Sequence, residues 1–142
     1  MARVLAAVAL LLAGCSSPSE FTVLLYDTCF RVEDCVETAS LCEELAVEFS
    51  GVEFSNAICT TECAATGPLA PDCARAVIGR PGSCYPSSVA GGIDDTLVCF
   101  EPCDFDTDCL FGFRCLDALD LCGADPSCPI GLNDAICVPG PN

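Results

Sequence analysis

The chain has 142 residues, with 21 Asp or Glu against 5 Arg, no Lys and no His, for a net charge of −16 at neutral pH. Nothing in that balance neutralises phosphates, which excludes nucleic-acid binding, and no basic face is available for an anionic membrane surface. The lack of His removes the commonest general base, imidazole-activated nucleophiles and imidazole metal ligands. The lack of Trp removes the usual sugar-stacking platform, although Tyr26 and Tyr85 remain. Two carboxylates alone can hydrolyse glycosides, but a short chain dense in cysteine leaves little room for a cleft, so the expectation is no enzyme.

At the N-terminus, Arg3 is the only charge before Glu20, and Val4 to Ala13 is an uninterrupted apolar run. That length suits a signal-peptide core and falls short of the roughly 20 residues that span a bilayer. Leu12-Ala13-Gly14-Cys15 resembles the lipobox of bacterial lipoproteins. The resemblance implies a signal peptide over 1–14, a diacylglycerol thioether on Cys15, and acylation of its new amine after cleavage. Such multiple acyl chains would anchor the protein stably where one would not. By the same resemblance, Ser16 in place of Asp favours the outer membrane of a Gram-negative envelope. Cysteine parity agrees: there are 15 Cys, and committing Cys15 to lipid leaves an even number for disulfides. Loss of Arg3 with the leader leaves 4 Arg against 21 acids, a net of −17.

Residues 15–20 read as a lipidated tether, spanning under about 20 Å at full extension. Phe21 to Tyr26 reads as a strand, rich in β-branched, aromatic and leucine residues. Residues 21–142 then form a cysteine-rich ectodomain with bridges suited to the oxidising periplasm or cell surface. The cysteines fall into three groups: Cys29, Cys35, Cys42, Cys59; Cys63, Cys73, Cys84, Cys99; and Cys103, Cys109, Cys115, Cys122, Cys128, Cys137. The last of each group follows a similar context, Ala57-Ile58, Leu97-Val98 and Ala135-Ile136, and the second of each follows Asp34, Asp72 or Asp108. This is the signature of diverged tandem repeats, at about 21–60, 61–100 and 101–142, each with an even cysteine count. Count alone leaves the connectivity within each group open.

The predicted fold class is therefore small and disulfide-rich, with short strands, loops and one helix near residues 36–49. That helix rests on the spacing of Val36, Ala39, Cys42, Leu45, Ala46 and Phe49, on Ser40 with Glu43 or Asp34 with Glu37 as a capping box, and on Gly51 as terminator. The second repeat reads as loop-rich, with Ala74 to Ile78 as a turn or two of helix. The third reads as short strands and turns.

Cys103-Asp-Phe-Asp-Thr-Asp-Cys109-Leu-Phe-Gly-Phe-Arg-Cys115 resembles the C-x-x-D-x-D-C-x-x-G-x-x-C signature of Dickkopf N-terminal-type repeats and, more loosely, whey-acidic-protein modules. Cys103, Asp106, Asp108, Cys109, Gly112 and Cys115 carry the match; Leu116 stands where those families often have a second, adjacent cysteine. The resemblance implies a non-enzymatic extracellular module that binds a protein partner or inhibits a protease.

Three features invite a function. Asp104, Asp106 and Asp108 alternate, as hard oxygen donors for Ca²⁺ would, but Gly and Glu are missing from the EF-hand positions, and Asp also caps turns. Phe105, Phe111 and Phe113 would form either a recognition patch or the module's core, and core is the expectation. Arg80-Pro81-Gly82-Ser83 is the best stretch for an inhibitor loop, with Arg80 suiting a trypsin-like pocket. Thiolate metal binding is disfavoured, because the closest spacing is Cys-x₃-Cys, at 59/63 and 99/103, rather than Cys-x₂-Cys. The sequence thus predicts a lipid-anchored envelope protein acting as a structural or interaction module for an unknown protein or glycan partner. Its alternatives are a cysteine-rich protease inhibitor or a calcium-binding extracellular module, and it needs no cofactor unless Ca²⁺.

Overall fold

The computed structural model describes residues 25–35, 39–74 and 79–141. Three antiparallel strand pairs follow one another along the chain: β1 (Leu41–Phe49) with β2 (Val52–Thr60), β3 (Ser83–Pro86) with β4 (Leu97–Phe100), and β5 (Phe113–Asp117) with β6 (Ala135–Pro139). Among the described residues there is one short α-helix, α1 (Ala118–Cys122), which follows β5, with the Asp117 carboxylate accepting from the Asp120 amide at its start. No described helix is long and apolar enough to cross a membrane.

All fourteen described cysteines are bridged, and each repeat uses one wiring plan. The first cysteine joins the third and the second joins the last: Cys29–Cys42 with Cys35–Cys59, Cys63–Cys84 with Cys73–Cys99, and Cys103–Cys115 with Cys109–Cys137. The third and last cysteines face each other across their hairpin in every unit, at Cys42↔Cys59, Cys84↔Cys99 and Cys115↔Cys137. Neither bonds to the other; both reach back to the segment that precedes the hairpin. A seventh bridge, Cys122–Cys128, staples the long connection between β5 and β6.

That preceding segment is itself held in the same register three times. The residue before the first cysteine pairs with the residue before the last, at Thr28↔Ile58, Glu62↔Val98 and Pro102↔Ile136. Matching backbone bonds run Cys29 N–H to Ala57 O, Cys63 N–H to Leu97 O, and Cys103 N–H to Ala135 O. Each hairpin therefore acquires a short third strand. The Cys-x₃-Cys spacings at 59/63 and 99/103 mark where the closing strand of one unit runs on as the third strand of the next.

The aspartate before each second cysteine has a common task. Its carboxylate accepts from the amide of the residue after the first cysteine: Phe30 to Asp34 at 3.2 Å, Ala64 to Asp72 at 2.7 Å, and Asp104 to Asp108 at 2.9 Å. Loop amides that face no strand need such an acceptor, and Asp supplies one at short reach. In the first and third units the loop is closed by a single 3₁₀ turn at the same place, Val32–Asp34 and Asp106–Asp108.

One predicted element is corrected. Residues 41–49, expected in a helix, form β1. Their decisive period is two: Leu41, Leu45, Val47 and Phe49 face the main core, while Cys42 faces a separate cluster with Cys29, Cys35 and Cys59. Ser50 and Gly51 do not end a helix but make the hairpin turn, both at positive φ (51° and 79°), as a two-residue type I′ turn requires, with Phe49↔Val52 closing it. The strand expected at 21–26 lies outside the described residues except at its end, where Tyr26 sits in a turn at φ 70°. The helical turn expected at Ala74–Ile78 falls mostly outside them as well.

The units share one core. Leu45 and Ile58 of the first pack with Tyr85, Val98 and Phe100 of the second and Phe113, Leu116, Ile136 and Val138 of the third. Close approaches hold the units together. Gly91, at φ 74°, lies so near the Ala46 carbonyl that any Cβ would collide with it. The Thr60 hydroxyl, fully buried, donates to the Cys99 carbonyl at 2.6 Å. Tyr26 is buried beside Gly82 and donates to the Ala74 carbonyl at 3.0 Å. Burial, with the Glu101 charge behind it, pushes its phenol well above the ordinary range.

Candidate interaction surface

The 104–114 segment carries most of the residues singled out in the sequence, and the fold gives each a definite place. Asp108 caps its own loop, accepting from both the Asp104 and Phe105 amides. Asp106 accepts from the Cys115 amide at 2.9 Å and from Arg114 at 3.1 Å. These bonds hold its carboxyl below the usual carboxylate range, the Cys115 amide contributing most. Asp104 pairs with Arg80 at 2.7 Å. All three carboxylates thus accept from donors of the chain itself, the turn and ion-pair chemistry open to them from the start.

The three phenylalanines divide. Phe113 is core, as expected, but Phe105 and Phe111 are not: they stand 70% and 88% exposed. The period-two alternation of β5 turns Phe113 inward. Phe105 lies in the loop between Cys103 and Cys109, where the Asp108 carboxylate accepts from its amide.

Arg80, the residue suggested for an inhibitor loop, lies just after residues outside the described ones. It is half-exposed and engaged with Asp104, and the chain beyond it turns inward, with Gly82 and Ser83 buried and Ser83 opening β3. The Arg80 Nε is itself buried and without a hydrogen-bond partner.

Cysteine sulfurs come within 4.8 Å of one another in three equivalent sets, Cys29/Cys35/Cys59, Cys63/Cys73/Cys99 and Cys103/Cys109/Cys137. The proximity follows from the wiring plan, which stacks the two bridges of each unit. As disulfides these sulfurs offer no thiolate.

Two grooves flank the 104–114 segment and meet at the Asp106–Arg114 pair. One, about 450 Å³, runs between Phe105, Asp120 and the end of β1 at Glu48 and Phe49. The other, about 510 Å³, lies along Leu110, Phe111 and Phe113 toward Pro141. Glu48, Phe49 and Asp120 escaped the sequence reading. Nothing local marks them; only the shared core brings the tip of the first hairpin against the third unit. Lipidation at Cys15 concerns a residue outside the described ones.

The chain matches no protein-family model, and comparison with curated proteins and with solved structures finds no match.

Proposed function

We propose that the protein is a lipid-anchored component of a bacterial cell envelope, held through Cys15, that acts as a non-enzymatic interaction module. The observation that carries this reading is cysteine pairing. The fourteen described cysteines pair entirely among themselves, so none of them is left for Cys15. Cys15 ends the Leu-Ala-Gly-Cys sequence that resembles a lipobox, and a thiol excluded from a fully bridged scaffold is free to take lipid. The Ser16 that follows favours the outer membrane. Bridges that fix the loops lower the ordering cost of binding, and the resemblance of 103–115 to Dickkopf-type repeats points to a protein partner.

Intact mass of the protein extracted from membranes, alkylated before and after reduction, tests the reading. The expected product lacks residues 1–14, carries acyl chains on Cys15, has no free thiol before reduction and has fourteen after it. An unlipidated product, or free thiols in the native protein, would overturn it.

A further inference from the structure

Resting on the reading of this chain as an interaction module, we infer that the grooves around Phe105 and Phe111 dock a basic, apolar peptide segment of a partner protein. The apolar part of the argument is exposure. Phe105 and Phe111 are exposed aromatic side chains on neighbouring stretches of the third unit, each lining a groove, and the two grooves join at Asp106 and Arg114. The charge of the occupant follows from what is left unneutralised. Arg31, Arg80 and Arg114, the described cations, are each paired with an aspartate. Glu48 and Asp120, on the rim of the first groove, have no ion pair among the described residues.

A second feature points the same way. Glu48 stands directly opposite Glu53 across the first hairpin. Like charges at facing positions of a strand pair destabilise it, and a bound cation relieves that repulsion. A Lys or Arg whose stem lies on Phe105 would place its charge at this rim, combining apolar contact with cation–π attraction. The partner docks by side chains rather than by adding a strand. The outward amide of Cys115 on β5, which an added strand would need, is already bonded to Asp106, and that of Phe113 to Leu110 O.

The test is fluorescence anisotropy of a labelled decapeptide of alternating Lys and Leu, titrated with the mature, oxidised protein in detergent at low salt and at 0.15 M. Saturable binding is expected, with no binding of the matching Glu–Leu peptide. Joint replacement Phe105→Ser and Phe111→Ser, which leaves charge unchanged, should weaken binding about tenfold, as loss of aromatic anchors does. Glu48→Gln with Asp120→Gln should weaken it several-fold and flatten its salt dependence. The controls Phe30→Ser, at another exposed phenylalanine, and Glu33→Gln with Glu62→Gln, matched in charge, should change it less than about twofold. No binding at low salt, or equal losses in variants and controls, would overturn the proposal. Because the anchor is read by mass and the groove by anisotropy, failure of one is distinguishable from failure of the other. If the phenylalanine variant melts early, the Glu48/Asp120 variant carries the test alone.

Discussion

The loops Cys29–Cys35 and Cys103–Cys109 are two versions of one device. Each runs from the first to the second cysteine of its unit, carries one 3₁₀ turn, and is strapped by the aspartate before the second cysteine. They differ at the third position after the first cysteine. In the later loop this is Asp106, which reaches over to the Cys115 amide and Arg114 and so ties the loop to its own hairpin. In the earlier loop it is Val32, partly exposed, whose side chain has nothing to donate or accept. The comparison separates frame from freight. Cysteines and pre-cysteine aspartates make the frame, and the positions between them differ from unit to unit, as Asp106 and Val32 do.

Removing a frame bridge should have the largest effect. Replacing Cys109 and Cys137 together by Ser should cost about 3–5 kcal/mol, and Cys35 with Cys59 a similar amount. The Cys122–Cys128 bridge closes a separation of only 6, against 28 for Cys109–Cys137. In the chain-entropy model its loss should therefore cost about 1.3 kcal/mol less. Denaturant melts of the three double variants would check the order, and a frame bridge that proved cheaper than Cys122–Cys128 would refute it.

The straps come next. Asp108→Ala releases two amides and should cost about 1–2 kcal/mol, while Asp34→Ala, which releases one backbone amide at longer distance, should cost about 0.5–1. Hydrogen exchange supplies the local readout. The amides of Asp104 and Phe105 should lose protection in Asp108→Ala and keep it in Asp34→Ala.

The smallest effect is electrostatic and belongs to the later loop alone. Bonds from the Cys115 amide and Arg114 depress the Asp106 carboxyl in the folded protein. Its contribution is then present above the ordinary carboxylate range, near pH 4, and is lost as pH falls through the lower folded value. Asp106 is largely solvent-exposed, so screening keeps the contribution small. Asp106→Asn keeps an acceptor for the Cys115 amide but removes the charge. Thermal melts should put the variant slightly below the parent at pH 6 and level with it at the acid end of the titration. A gap that widened on acidification would contradict this.

Much of the frame was legible from residue identity. Cysteine spacing and the recurring Ala-Ile-Cys, Leu-Val-Cys and Asp-Cys contexts marked three units, because each unit must place the same strand and the same strap beside the same bridges. The segment 41–49 was not. It satisfies a helical spacing through Cys42, Leu45, Ala46 and Phe49 and a strand spacing through Leu41, Leu45, Val47 and Phe49. Local pattern cannot choose between two periods that share their strongest residues. Pairing chose: β2 satisfies the backbone of β1, the Ser50–Gly51 turn sets the register, and bridges at Cys42 and Cys59 lock it.

The same division holds for the proposed docking face. Sequence alone determined the acidic composition, the even set of bridging cysteines and the loop on which Phe105 sits. Only the tertiary structure decided that Phe113 turns inward while Phe105 and Phe111 stay in solvent, that Arg80 is spent on Asp104, and that Glu48 comes to border the third unit. The reason is range. Caps, turns and cysteine parity are written within a few residues, whereas exposure and neighbourhood depend on how three stapled hairpins bury one common core.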